Sequence, residues 1–451
     1  MTTTVEMPVW ALVLLVAFAA VTFASHFLFP SVRWFFRKRM MRLVGRLNTR
    51  LARPIEPFKL ARRYDMIQRL IYDPDVGRAI AAHAKEHGIP ENVAFETAQR
   101  YAGEIVPSFS AWTYFRFGSR VARWLSQTLY HVRVVHHADG ALEQIDPDAT
   151  VVFVMNHRSN MDYVLVTYLA ARQGAISYAV GEWARIWPLS RLIRAMGAYF
   201  IRRKSANDLY RAILARYIRM ATDAGVTQAV FPEGGLSLTG QPSEPKLGIL
   251  KYLLDRGDTP ERNVVFVPVA LNYDRVLEDR ILIRAESEGA RRFRARVAVV
   301  VRFVLKRLWL RLTGRYRRFG YAGVSFGAPL SLESFDGDLP ALADELMRRI
   351  ASEVPVLPVP LVATALLQAG GREERLALEM RMKDLIAELD EASLYLPRGN
   401  RGYTLDVALR ALGQRGLVQE DHGVISVTKG QEAVLAFYAA SIKHLFCNCS
   451  K

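Results

Sequence analysis

From Thr150 onward, short β-rich runs alternate with helical stretches, and this alternation restricts the chain more than any other feature. The β-like runs are 150–155, 176–180, 228–231, 264–271 and 324–326, and candidate helices lie between them at about 162–173, 185–196, 206–224 and 245–256. Strand–helix alternation of this kind predicts an α/β core, a mostly parallel sheet covered by helices. In such sheets ligands bind beyond the carboxyl ends of the strands. Residues just after each strand are therefore the first place to look for chemistry.

The chain has 451 residues, more than one hydrophobic core normally supports. The reading divides it into a transmembrane anchor at 8–30, a basic juxtamembrane segment at 31–54, a helical domain at 55–130, an α/β domain at 131–350 and a helical C-terminal domain at 351–451. Residues 8–30, PVWALVLLVAFAAVTFASHFLFP, are apolar except for His26 near the end. That length matches a hydrocarbon core of about 30 Å at 1.5 Å per residue, with Trp10 and Trp34 where interfacial aromatics belong. A cleaved signal peptide would need a positive leader, but MTTTVEM carries only Glu6. Positive charge instead follows the run, from Arg33 to Arg53, which predicts a retained anchor with the remainder on the cytoplasmic face of the cell (inner) membrane.

The formal net charge of +17 points to polyanionic company. A second basic block, 291–318, is too short and too charged to span a bilayer. It suits either a helix on phospholipid headgroups or an amphipathic helix over the protein's own core. After a proline-rich hinge, EVPVLPVPL at 353–361, C-terminal helices are followed by a hairpin around 421–423. A nucleic-acid role is not expected there, because Glu420 and Asp421 make that hairpin acidic. Cys447 and Cys449, one residue apart, cannot build a disulfide framework and have no His cluster to complete a metal site. No metal and no bound cofactor are expected.

Four blocks carry chemistry. In VVFVMNHRSNMDYVLV a strand runs into His157, Arg158, Ser159, Asn160, Met161 and Asp162 before a helix. His157 and Asp162 are roughly 140° out of phase on an ideal helix, so they converge only if the first of these residues lie in the turn. A carboxylate on one imidazole nitrogen fixes the tautomer and leaves the other free to take a proton. If the substrate's own hydroxyl is the nucleophile, no serine or cysteine is needed. GAYFIRRK ends a β-like run in Arg202, Arg203 and Lys204, suited to gripping phosphate. In QAVFPEGGLSLTG, Glu233 precedes Gly234 and Gly235, where backbone can approach a ligand; Lys246 follows. In VVFVPVALNYD, Pro268 sits inside a β run, where it should mark a bulge, an edge or the end of pairing.

In this order and spacing, HRSNMDY, GAYFIRR, FPEGG and the proline-bearing strand resemble the glycerolipid acyltransferase family, whose hallmark is a histidine, four residues and an aspartate. The wording is closest to the membrane glycerol-3-phosphate acyltransferase branch, and LAFYAASIKHLF near the C-terminus is similar to the end of that branch. The resemblance covers roughly residues 90–446. It implies acyl transfer from acyl-CoA or acyl-carrier protein to the sn-1 hydroxyl of glycerol 3-phosphate, giving lysophosphatidate, at an anionic phospholipid membrane. His157 would be the general base and Asp162 its orienter. Arg158, Arg202 and Arg203 would bind the acceptor phosphate. Glu233, Gly234 and Gly235 would shape the acceptor site, and Pro268 the region near the acyl chain. In one respect the chain departs from the family: Leu236 and Leu238 stand where arginines are common. Lys204 and Lys246 are the cations at hand to replace them; a different acceptor, 1-acylglycerol 3-phosphate or another alcohol, is the alternative.

Overall fold

The computed structural model describes residues 8–137, 140–169, 174–181, 189–202, 207–255, 262–289, 313 and 318–446. Most of the 291–318 block, both cysteines, Arg203 and Lys204 lie outside these residues. The chain divides into two compact units, residues 1–55 and 56–451.

The first unit is built on one helix, Val9–Asn48, 40 residues long. The side chains of residues 23–37 lie outside the described ones, so residues 23–30 of the apolar run are described only as helical backbone. Among the described residues no helix is long and apolar enough to cross a membrane.

The second unit centres on an eight-stranded sheet. Its strands are β1 (His131–His137), β2 (Thr150–Met155), β3 (Ser177–Gly181), β4 (Tyr199–Ile201), β5 (Gln228–Val230), β6 (Val264–Tyr273), β7 (Tyr321–Phe326) and β8 (Leu330–Ser331). They lie in the order β1-β7-β6-β2-β5-β3-β4, with β8 also pairing with β6. From β6 to β4 the neighbours are parallel, whereas β7 and β8 run antiparallel to β6. β2 and β6 are buried along their whole length, as expected for central strands with helices on both faces. Pro268 lies between the part of β6 paired with β8, at Val265 and Phe266, and the part paired with β7, from Val269 onward. It marks the changeover between partners, where a missing N–H costs little.

The order of the strands matters for the site. The chain goes from β2 to β3 and β4, then returns to insert β5 between β2 and β3. The carboxyl ends of β2 and β5 thus become neighbours although 76 residues separate His157 from Glu233. Helices Arg63–Ile71, Pro74–His87 and Glu91–Ile105 pack around the helix Asp208–Asp223, and π-turn Thr113–Gly118 continues into helix Ser119–Leu129.

The C-terminal part adds helices Pro358–Gln368, Arg375–Ala387, Arg401–Gly413 and Glu432–Ala440 and a small sheet of β9 (Arg372–Glu374), β10 (Val418–Asp421) and β11 (Val424–Val427). The expected hairpin is present, turning through His422 (φ 46°) and Gly423 (φ 79°), the backbone of a type I′ turn. The proline-rich stretch at 353–361 is not the exposed hinge its composition suggests. Val354, Val356, Leu357, Val359 and Leu361 are buried, and Pro358 and Pro360 open a helix, where a first-turn proline gives up no hydrogen bond.

Candidate active site

β2 ends at Met155, and the next residue ties that end down. The Asn156 side chain donates to the Leu271 carbonyl (2.9 Å) and accepts from the Leu271 N–H (2.8 Å), joining β2 to β6. Residues 156–159 form an irregular turn, and helix Met161–Leu169 follows. The turn brings His157 and Asp162 together, with Nδ1 2.9 Å from Oδ2. Oδ2 also accepts the backbone N–H groups of Arg158 (2.7 Å) and Ser159 (3.0 Å), and Oδ1 accepts the Tyr273 hydroxyl (2.6 Å). Four donors therefore converge on a carboxylate that is 0 % exposed, three on Oδ2 and one on Oδ1.

With Asp162 as acceptor, Nδ1 of His157 carries the proton and Nε2 the lone pair. Among the described residues Nε2 has no hydrogen-bond partner. The ring is held by Phe231 at 4.3 Å and by the edge of Tyr163 at 5.3 Å. A base so oriented can accept a proton from a hydroxyl group placed at Nε2.

Glu233 reaches the same turn from the end of β5. Its Oε1 accepts the His157 N–H (2.8 Å) and its Oε2 the Ser243 N–H (3.0 Å). Burial pushes the Glu233 carboxyl above the usual carboxylate range, against the pull of these two N–H groups and of neighbouring His157 and Arg158. Its oxygens clasp two loops rather than standing open. Gly234 has φ +65°, and a Cβ there would meet Lys246 Cδ at 2.7 Å, so the lysine stem lies across this glycine. Gly235 follows in the same half-buried loop.

Arg158 is 3 % exposed. One terminal nitrogen donates to the Gly240 carbonyl, and the guanidinium carbon lies 5.3 Å from the Phe437 ring centre. Its Nε and other terminal nitrogen are buried without a hydrogen-bond partner among the described residues. Burial lowers its pKa, opposed by Glu233 and Asp162. A buried N–H left unpaired costs about 1–3 kcal/mol, and an anion arriving there relieves it.

Arg202 behaves differently. It follows β4 at the same edge of the sheet, three strands from β2, roughly 14 Å at the usual strand spacing. Its guanidinium forms a fork with Glu104 at 2.7 and 2.8 Å and lies near the rings of Tyr101 and Tyr210. Of the sequence-predicted residues, the structure thus gathers His157, Arg158, Asp162 and Glu233, with Gly234, Gly235 and Lys246 alongside. Pro268 sits on the neighbouring strand opposite Val154. Leu236 and Leu238 are half-buried and packed against the core cluster, offering no polar group.

Several site residues were not legible beforehand. Tyr273 ends β6 and Glu278 follows it, the position the strand-end rule marks. Glu278 accepts from the Ser159 hydroxyl (2.7 Å) and the Asn160 amide (3.0 Å), holding the outer half of the turn; burial raises its pKa. Gly240 (φ +91°) is pressed against the Phe437 carbonyl so closely that no Cβ fits. Tyr438 bonds to Asp279 (2.5 Å) and to the Val276 N–H (3.1 Å). The C-terminal LAFYAASIKHLF segment thereby packs directly on the loops around His157.

A buried His–Asp pair at the end of a parallel strand, with a cation beside it, is the layout expected of a His-x4-Asp acyltransferase site. Residues 137–272 match the acyltransferase family model, and residues 309–450 match that of the glycerol-3-phosphate acyltransferase C-terminal region. In these two stretches the chain is similar to the glycerolipid acyltransferases, and in the second to their glycerol-3-phosphate acyltransferase branch. It is 29% identical to the glycerol-3-phosphate acyltransferase of Pseudomonas syringae pv. syringae (strain B728a), over 86% of this chain and 49% of that one. It is 30% identical to that of Ectopseudomonas mendocina (strain ymp), over 91% of this chain and 52% of the relative. The chain thus spans about half the length of the curated relatives it matches. The solved 1-acyl-sn-glycerophosphate acyltransferase of Thermotoga maritima superposes with a TM-score of 0.32 at 20% identity, over 52% of this chain and 76% of that one.

Proposed function

We propose that this chain transfers a fatty acyl group from acyl-CoA or acyl-carrier protein to the sn-1 hydroxyl of glycerol 3-phosphate. The observation that carries the reading is the His157–Asp162 pair, 2.9 Å apart and buried, with Nε2 lacking a hydrogen-bond partner among the described residues and Arg158 next in sequence. His157 Nε2 takes the hydroxyl proton as the oxygen attacks the thioester carbonyl. The carbon–sulfur bond then breaks, and the imidazolium returns the proton to the departing thiolate, leaving lysophosphatidate and the free thiol. Asp162, held by Tyr273 and two backbone N–H groups, orients the imidazole and stabilises its cation.

Arg158 offers two buried guanidinium nitrogens to the acceptor phosphate, with Arg202 and Arg203 as further candidate ligands for it. Glu233, Gly234, Gly235 and Lys246 form the wall of the acceptor site, and Pro268 lies on the acyl side. A lipid acceptor such as 1-acylglycerol 3-phosphate is the second reading; the apolar, core-packed Leu236 and Leu238 favour it. The helix Val9–Asn48 anchors the chain in the inner membrane with the second unit on the cytoplasmic side. Its support is the apolar surface of the first turns, where Trp10, Leu14 and Phe18 are all more than half exposed, as on a helix meant for lipid.

The direct test is His157→Ala, measured with a labelled acyl thioester and glycerol 3-phosphate. A loss on the order of 10³-fold or more in kcat, with the folded signal of the protein unchanged, is expected. Substantial residual turnover would remove His157 from the role of base.

A further inference from the structure

The outer face of the helix running from Ala111 to Leu129 has no role in the chemistry above, yet it is unusual in composition. Trp112 is 51 % exposed, Phe117 45 %, Val121 40 % and Trp124 46 %. These four residues fall on one face because of the π-turn. In an α-helix, residues five apart lie roughly 140° out of phase. The i→i+5 closure over Thr113–Gly118 turns Trp112 back toward Phe117, and Phe117, Val121 and Trp124 then follow at the ordinary i, i+4, i+7 spacing. The opposite face is spent on packing: Ala111, Tyr114, Ala122 and Leu129 are buried, and a Cβ on Gly118 would strike Met196 at 2.8 Å.

Charge accompanies the apolar row. Arg116, Arg120 and Arg123 are exposed beside it, and among the described residues none of the three forms a salt bridge. From Ile105 to Ala138 the sequence holds no aspartate or glutamate. Three exposed arginines with no acidic residue in the segment fit an anionic surface. At a lipid surface the indole rings take the headgroup level, the aliphatic stems lie along the acyl boundary and the guanidinium groups meet phosphate.

We propose that this face docks on an anionic phospholipid bilayer and that it does so as part of the second unit, independently of the helix Val9–Asn48. The position suits a lipid-producing site, so the inference rests on the acyl-transfer reading for its purpose. Helix Ser119–Leu129 packs directly on helix Met161–Leu169, whose first turn carries Asp162. Gln127 donates to the Tyr168 hydroxyl (3.1 Å), and Arg123 lies 6.0 Å from the same ring. Docking here brings the helix behind the catalytic pair to the membrane surface, where acyl chains leave the site.

The test uses the full chain with Cys447→Ser and Cys449→Ser, carrying an environment-sensitive fluorophore at Val121→Cys. A control carries the label at Met380→Cys, an exposed apolar position elsewhere (55 %). The protein is reconstituted in phosphatidylcholine vesicles with or without phosphatidylglycerol, each containing shallow spin-labelled lipid. The label at 121 is expected to shift to the blue and to be quenched several-fold more than the label at 380, only when phosphatidylglycerol is present. Each arginine near such a surface is worth roughly a fivefold change in binding. Arg116→Gln with Arg120→Gln and Arg123→Gln should therefore abolish the quenching at 121 while the protein still floats with the vesicles. A label at 121 that stays in water in both lipids overturns the proposal. So does one that is protected equally in detergent in a concentration-dependent way, the mark of a second copy covering the face. Acyl transfer is read in the same vesicles: turnover without docking sinks this inference alone, and docking without turnover sinks the enzymatic reading alone.

Discussion

Arg158 and Arg202 stand at the same edge of one sheet and were both expected to hold phosphate, but they differ in what they have left to give. Arg202 has its fork taken by Glu104 and its face near two tyrosines. Arg158 is more deeply buried, yet two of its nitrogens have no hydrogen-bond partner among the described residues. A cation with spare donors in a dry site is a stronger anion receptor than one already paired, because binding adds hydrogen bonds without breaking any. Proximity matters as well, since Arg158 adjoins the base and Arg202 lies three strands away.

The largest effect separating the two is expected from their alanine variants. Arg158→Ala should lower kcat/KM for glycerol 3-phosphate by about a hundredfold or more, the scale of a desolvated charge-assisted contact of roughly 2–4 kcal/mol. Arg158→Lys should recover little of it, since an ammonium lacks the fork. Arg202→Ala should cost about tenfold or less in kcat/KM and also about 1 kcal/mol of stability, from losing the fork to Glu104. Equal losses in steady-state kinetics would show that both cations contact substrate.

Leu236→Arg and Leu238→Arg sharpen the comparison from the other side. If Arg158 lacks helpers found in relatives, adding them should lower KM for glycerol 3-phosphate several-fold. Chemical denaturation should show the cost, about 1–3 kcal/mol for placing a charge at a half-buried apolar position. An unchanged KM would mean that these leucines do not face the acceptor phosphate.

The last effect falls on stability and leaves catalysis aside, at a carboxyl whose partners are both within the fold. Asp274 accepts the N–H groups of Tyr321 (2.8 Å) and Val359 (2.9 Å), and burial pushes its pKa from 3.8 up to about 7. The folded state then binds this proton more tightly than the unfolded state. Its contribution to stability is greatest below pH 4 and declines as pH rises toward 7. Asp274→Asn should flatten that slope in denaturation curves taken between pH 4 and 7; an unchanged slope would show that another group sets it.

Much of this was legible in the sequence because it is local. The alternation from Thr150 onward gave the parallel sheet, and the strand ending at Met155 placed His157 and Asp162 in a turn where they could meet. What was not legible depends on distant pairing. The insertion of β5 beside β2 is what brings Glu233 to the backbone of His157, and no local pattern encodes a strand's neighbour. Tyr273 was hidden in the same way: it reads as the end of an apolar strand until β6 is set beside β2. The prolines at 353–361 misled because composition suggested a hinge, whereas alternate Val and Leu residues there are buried. The occupancy of donors, which separates Arg158 from Arg202, exists only once the fold is complete.

The most direct measurement offers glycerol 3-phosphate and 1-acylglycerol 3-phosphate separately to the reconstituted protein with one labelled acyl thioester. Labelled lysophosphatidate formed from glycerol 3-phosphate, and lost in both His157→Ala and Arg158→Ala, is the predicted result. Turnover with the lipid acceptor alone, or turnover of glycerol 3-phosphate that survives Arg158→Ala, would contradict it.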